Sequence, residues 1–241
     1  MLWDKFKEHF HESWHPKMQK WVESKECDGI YEFLKKEGRR GIKISPSSFN
    51  TYRAFLETPL DEVKVLLLGF CPYHTFINGP VADGLMFSCS ITNKQQPSLQ
   101  KFLSGIENDV YNGLNLNYNK NMTDLTPLAH EGVLLLNSAL TVAMGKAGSH
   151  QEIWAPFTKY VLEECLAYKN IPILFIGKDA AAFKRYVSPL THGHIFEVEH
   201  TSFANRENRE WETKGAFSKI TQIVKQNTGK EIDWLNTAPP F

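Results

Sequence analysis

The sequence has little that would mark a secreted, membrane-bound or metal-built protein. Its four cysteines, Cys27, Cys71, Cys89 and Cys165, lie far apart. They form no C-x-x-C pair, and no Cys/His spacing matches a structural zinc site. This argues against a disulfide scaffold and for free thiols in a reducing compartment. No apolar run approaches the roughly 18–20 residues needed to span a bilayer. The opening Met-Leu-Trp-Asp-Lys-Phe-Lys is amphipathic and lacks the apolar segment of a secretory signal, so the expected location is cytoplasmic. Excess charge is missing too, with 27 Lys plus Arg against 27 Asp plus Glu. Strong non-specific grip on nucleic acid usually needs a basic excess, so any such contact must come from a local site. Internal repeats and low-complexity tracts are absent. What remains is ordinary globular composition, 42% hydrophobic and 22% charged. The length suits one domain over residues 1–241 with a full core.

From Trp3 to about Lys36 the apolar residues Trp3, Phe6, Phe10, Trp14, Met18 and Trp21 fall at helical spacing, followed by Ile30, Tyr31 and Leu34. Two or three amphipathic helices are expected there, broken near Pro16 and at Cys27-Asp-Gly29. His11-Glu-Ser-Trp-His15 fits the zinc-protease pattern H-E-x-x-H. Three fixed positions in five occur easily by chance, Pro16 tends to end a helix at His15, and no third ligand follows. A solvated helix surface is the better reading.

The stretch from Ile44 to Phe55 begins as a turn and continues as a helix. Val63-Lys-Val-Leu-Leu-Leu-Gly69 is then a short apolar run ending in glycine, as a buried parallel strand does when it feeds a loop. Gly132–Asn137, Ile171–Gly177 and His194–His200 read the same way. Helical patterns lie between them at Ser98–Val110, Ile153–Tyr168 and Asp179–Tyr186. This alternation predicts an α/β fold with a mostly parallel sheet of four strands flanked by helices. Ligands of such sheets bind beyond the carboxyl ends of the strands. Those ends carry Gly69-Phe-Cys-Pro-Tyr-His74, Asn137, Gly177 and His200, so a cysteine, two histidines and an asparagine converge on one rim.

These residues form a known pattern. Gly69-Phe-Cys-Pro-Tyr-His74 resembles the water-activating loop of family 1 uracil-DNA glycosylases, Gly-Gln-Asp-Pro-Tyr-His. Ala82-Asp-Gly-Leu-Met-Phe-Ser88 is similar to the segment supplying the aromatic platform for uracil. Gln96-Pro-Ser-Leu99 resembles the loop that pinches the DNA backbone. Asp124 to Val142 follows the uracil-recognition strand, and Ala147-Gly-Ser-His150 with Trp154 the segment after it. Gly177-Lys178 stands where the family has a Gly-Ser phosphate loop. His200-Thr-Ser202 matches the start of His-Pro-Ser-Pro-Leu, and Ile232-Asp-Trp234 the tail. The order is the family's order throughout.

The resemblance implies a uracil-DNA glycosylase fold that flips uracil, or a related base, from single- or double-stranded DNA and hydrolyses its N-glycosidic bond in base-excision repair. It implies no cofactor and no metal. Phe87 would stack on the base, Asn137 would pair with its edge and exclude cytosine, and Tyr73 would exclude the methyl group of thymine. His200 as neutral imidazole, with the backbone N–H groups of Phe70 and Cys71, would hold the anionic leaving group. Pro97, Ser98, Gly177, Lys178, Ser202, Phe203 and Arg206 would contact DNA, with Arg209 as an alternative to Arg206 at a phosphate. The partners implied are DNA and proteins of replication or repair, for a monomer acting in the cytoplasm, at the nucleoid, or in the host cell if viral.

Four departures qualify this. Cys71 replaces the catalytic aspartate, and a thiol with pKa near ~8.5 is only a few per cent thiolate at neutral pH. Losing one preorganised electrostatic group costs about 2.7–4 kcal/mol, roughly 10²–10³ in rate. Related glycosylases with asparagine at that position imply that slow excision survives, so reduced or altered activity is expected. After His200 the family's Pro-Ser-Pro-Leu is missing, so either Phe203 serves as the wedge in place of leucine or the wedge is lost; Thr75-Phe-Ile-Asn78 lengthens the link to the platform, and Lys178 replaces serine. A catalytically inactive DNA-binding or scaffolding descendant is the alternative. A Cys-His nucleophile, pairing Cys71 with His74 or His200, is a third reading.

Overall fold

Four short aliphatic runs decide the architecture. The computed structural model describes residues 2–114 and 116–237, so residues 1, 115 and 238–241 of the expected 1–241 unit lie outside the described residues. Its strands are β1 (Ile44–Ser45), β2 (Val65–Gly69), β3 (Val133–Asn137), β4 (Val142–Ala143), β5 (Ile173–Ile176) and β6 (Ile195–Val198). The sheet order is β3-β2-β5-β6 with every pairing parallel. All four expected strands are present. β2, β3 and β5 are buried along their whole length, as Val/Leu/Ile runs covered on both faces must be.

The helices are α1 (Leu2–Phe6), α2 (His15–Val22), α3 (Lys25–Arg39), α4 (Arg53–Glu57), α5 (Pro97–Tyr111), α6 (Thr126–His130), α7 (Gln151–Tyr160), α8 (Lys178–Ala181), α9 (Thr201–Arg206) and α10 (Ala216–Thr228). Parallel strands need long crossovers, and α5 and α6 fill the link from β2 to β3 while α7 fills that from β3 to β5. Beneath them one core cluster joins Leu66, Leu67, Leu68 and Phe175 of the sheet to Phe102, Trp154, Phe157 and Phe217 of the helices.

Several local expectations are corrected. Pro16 lies in the first turn of α2 and opens that helix, because a missing N–H costs nothing there. The break expected at Cys27-Asp-Gly29 falls instead at Ser24, whose side chain accepts the Cys27 N–H and caps α3. Gly29 sits inside α3 with open space around it. The H-E-x-x-H residues share no helix: His11 caps a 3-10 turn, Trp14 is buried, and His15 begins α2. No group of residues suited to a metal occurs among the described residues. α7 gives way to a π turn at Val161–Cys165, and α8 to a 3-10 turn at Ala182–Tyr186. The β1–β4 ladder, α9 and α10 are additions to the sequence reading. Among the described residues no helix is long and apolar enough to cross a membrane.

Candidate active site

β2 and β3 run side by side with Gly69 opposite Asn137, so both strands deliver their last residues to one point. Gly69 is required there. A Cβ on it would stand 2.6 Å from Met86 Sδ and 2.9 Å from Asn137 Oδ1, so the asparagine amide lies over the glycine. Beyond Gly69 the loop is stapled to the end of β3. Ser138 N donates to Gly69 O (2.9 Å), Ala139 N to Phe70 O (3.1 Å), and Ser138 Oγ to Phe70 O (2.9 Å). Gln151 Nε2 donates to Ser138 Oγ at 2.7 Å. Ser45 Oγ donates to Tyr73 O and Gly145 N to His74 O, both at 2.9 Å. Phe70 packs on Gly148, where a Cβ would meet its ring at 2.5 Å. The lengthened link from Thr75 closes on itself through a Phe76–Pro80 bridge, and its residues 75–80 do not line the cavity.

Facing this loop is Phe87, a non-glycine residue held at φ 63°. Left-handed backbone at a bulky residue persists only where its surroundings over-determine it. Here Tyr73 Oη donates to Phe87 O at 3.0 Å. The fully buried Asp83 carboxylate accepts from Ser88 Oγ and Ser90 Oγ, each at 2.6 Å, and from Leu85 N and Ser90 N. Its charge is paired with Arg53 at 3.1 Å. The Phe87 ring lies 4.9 Å from Phe102 on the core side and 6.0 Å from His200.

His200 caps α9. Its Nδ1 accepts the Ser202 N–H at 3.2 Å and lies 2.9 Å from Ser202 Oγ. With Nδ1 acting as acceptor, the proton of a neutral ring resides on Nε2. Burial holds the His200 pKa below the usual histidine value; the Asp179 charge works against this and Arg206 with it. The ring is therefore neutral at physiological pH. Gly177, at φ 94°, packs against His200, and a Cβ there would come within 3.1 Å of His200 Cβ.

Cys71 is half-buried, and burial pushes its thiol up to about 11; the Gly148 N–H lowers it and the Asp179 charge raises it. A protonated thiol is a weak nucleophile. His200 directs its Nδ1 to Ser202, and no hydrogen bond joins Cys71 to His74 or His200 among the described residues. The geometry gives the Cys-His nucleophile no support.

A cavity of about 380 Å³ lies at the carboxyl ends of the strands, within the range of small-ligand sites. It brings together Phe70, Cys71, Tyr73, Phe87, Asn137 and His200. Ser98, Gly177, Lys178, Ser202, Phe203 and Arg206 line it as well. Pro97 of the anticipated set is not a lining residue; it opens α5 beside Ser98. Ser202, Phe203 and Arg206 belong to α9 rather than a loop, and Arg206 Cζ sits 4.3 Å over the exposed Phe203 ring. Arg209 is held by Glu199 and Glu207, each at 2.6 Å, which leaves Arg206 as the arginine at the cavity. Sequence reasoning missed Asp179, which also lines it. The signal was its place two residues past the end of the third expected strand, at the rim where ligands bind.

The sequence matches the model of the Uracil DNA glycosylase superfamily over residues 55–225. It is 35% identical over 228 residues to the uracil-DNA glycosylase of Streptococcus pneumoniae serotype 19F (strain G54), spanning 93% of this chain and 99% of that protein. In three dimensions it resembles the crystal structure of mimivirus uracil-DNA glycosylase with TM-score 0.80 at 20% identity, over 95% of this chain and 88% of that one. A mimivirus UNG variant in complex with UGI gives the same score and identity over 93% and 88%. The structural likenesses speak for the fold, and the sequence matches for descent: the chain belongs to the uracil-DNA glycosylase superfamily.

Proposed function

We propose that this protein flips uracil from DNA into the cavity and hydrolyses its N-glycosidic bond, more slowly than it would with a carboxylate at position 71. The bond between C1′ and N1 breaks with its electron pair leaving on the base. The oxygen of water then bonds to C1′ and gives up a proton, so the products are uracil and an abasic sugar. The observation that carries the reading is the convergence of an aromatic face, a buried amide and a neutral imidazole on one cavity. In this reading Phe87 stacks on the base and Asn137 pairs with its edge. Tyr73 fills the space where thymine has its methyl group. The Nε2–H of His200 and the N–H groups of Phe70 and Cys71 meet the anionic base. Lys178 and Arg206 take phosphates, Ser98, Gly177 and Ser202 approach the backbone, and Phe203 enters the gap left by the flipped base.

On the same reading residues 1–241 act as one monomeric unit in the cytoplasm, with DNA as the partner and replication or repair proteins as further ones. The test is incubation of the purified protein with a single-stranded oligonucleotide carrying one uracil, followed by alkaline cleavage. Strand breaks at the uracil, formed over multiple turnovers and lost with His200→Ala, are the expected result. No breaks after long incubation would refute excision and leave a binding module.

A further inference from the structure

Among the residues lining the cavity, Asp179 is the one carboxylate. It is the second residue of α8, just past the carboxyl end of β5, and is exposed. Its side chain makes no hydrogen bond or ion pair among the described residues. The chemistry proposed above, on which this inference rests, leaves positive charge on the sugar and a water proton that must be taken up beside it before it reaches the departing base. No other group of the cavity, His74 included, carries the negative charge that a cationic sugar calls for. Lys178 and Arg206 are cations, and Asn137 is neutral. His200 already accepts a hydrogen bond at Nδ1 and carries its proton on Nε2. Cys71 is a half-buried thiol whose pKa is pushed up to about 11. The Asp179 charge acts on both Cys71 and His200, so it lies within electrostatic reach of both side chains.

We propose that Asp179 is the catalytic carboxylate of this cavity: it faces the cationic sugar and takes the proton of the attacking water, a task for which position 71 carries no charge. Lys178, its neighbour in the same turn, offsets its repulsion of DNA phosphates.

The experiment uses the full chain as wild type, Asp179→Asn, Cys71→Asp and the double variant. Single-turnover release of uracil from a single-stranded oligonucleotide is measured beside equilibrium binding of its 2′-fluorinated analogue, whose electron-poor sugar resists cleavage. Asp179→Asn is expected to slow release about ten- to hundredfold, with binding unchanged or tighter because a negative charge beside phosphate is gone. In the Cys71→Asp background the same change should alter release by no more than about twofold, since a new carboxylate takes over. Release by Asp179→Asn within about twofold of wild type would overturn the assignment, as would equal slowing in both backgrounds or binding that weakens in step with rate. If no protein of the four releases uracil, excision itself fails and Asp179 with it. If wild type is active and Asp179→Asn equals it, only the Asp179 assignment falls.

Discussion

The two walls of the cavity are built differently. One consists of the ends of β2 and β3 with the Phe87 segment. Asn137 and Phe87 are each 7% exposed there, and the backbone is fixed by strand pairing, the Asp83–Arg53 pair and the Ser138 staples. The other consists of the first turns of α8 and α9, where Lys178 and Asp179 are exposed and Phe203 is 42% exposed. On the proposed reading base recognition needs groups held to fractions of an ångström, and the packed wall is built to hold its side chains so. Charge acts at longer range, so a carboxylate can occupy a different point on the open wall without rebuilding the core. A pocket can thus keep its shape while the source of its negative charge moves.

If the walls differ in this way, the largest effects belong to the packed one. Asp83→Ala should destabilise the fold by about 3–5 kcal/mol, because four donors lose their buried acceptor, while Arg53 keeps Glu57 and Asp124. Urea denaturation measures it, and a loss below 1 kcal/mol would show that the platform is not held by this carboxylate. Asn137→Ala should leave a folded protein that excises uracil roughly 10²–10³ times more slowly, read by single-turnover release.

Acid should act through the buried histidines. Burial lowers the pKa of His200 and of His150 in the folded state, so the unfolded chain binds more protons on the acid side. Their contribution to stability is complete above the unfolded value near ~6.5 and is lost as pH falls below it. Excision should hold level from neutral pH into that range and fall only below it, as His200 becomes charged. The urea midpoint and the release rate as functions of pH check both. The smallest effect belongs to the open wall. Lys178→Gln or Arg206→Gln should weaken binding to single-stranded DNA regardless of sequence and reduce the salt slope by about 0.7 each. A change in base preference instead would put those side chains in recognition.

The packed wall was the legible one. Apolar runs ending in Gly69 and Asn137 announce strands, and the rule that ligands sit beyond strand ends brings Cys71, Asn137 and His200 together before any coordinates. The open wall was harder to read. The helical pattern over Asp179–Tyr186 places Asp179 at a helix start without showing that it faces the cavity, and Arg206 sits on a helix of six residues, too short for hydrophobic periodicity to register. The segment after His200 reads as a loop because its helix is short and its cap is a histidine, outside the Ser, Thr, Asp and Asn that usually mark a helix start. At the N-terminus composition marks Pro16 and Gly29 as breakers, whereas the Ser24 cap decides where the chain turns.

The claim on which the rest depends is that the cavity takes an everted pyrimidine. A single-stranded oligonucleotide with 2-aminopurine beside a 2′-fluorinated uracil reports this directly, since unstacking brightens the probe. The account predicts a clear rise in fluorescence on binding, lost with Asn137→Ala and absent when thymine replaces uracil. Equal signals for uracil and thymine at saturating protein would contradict it.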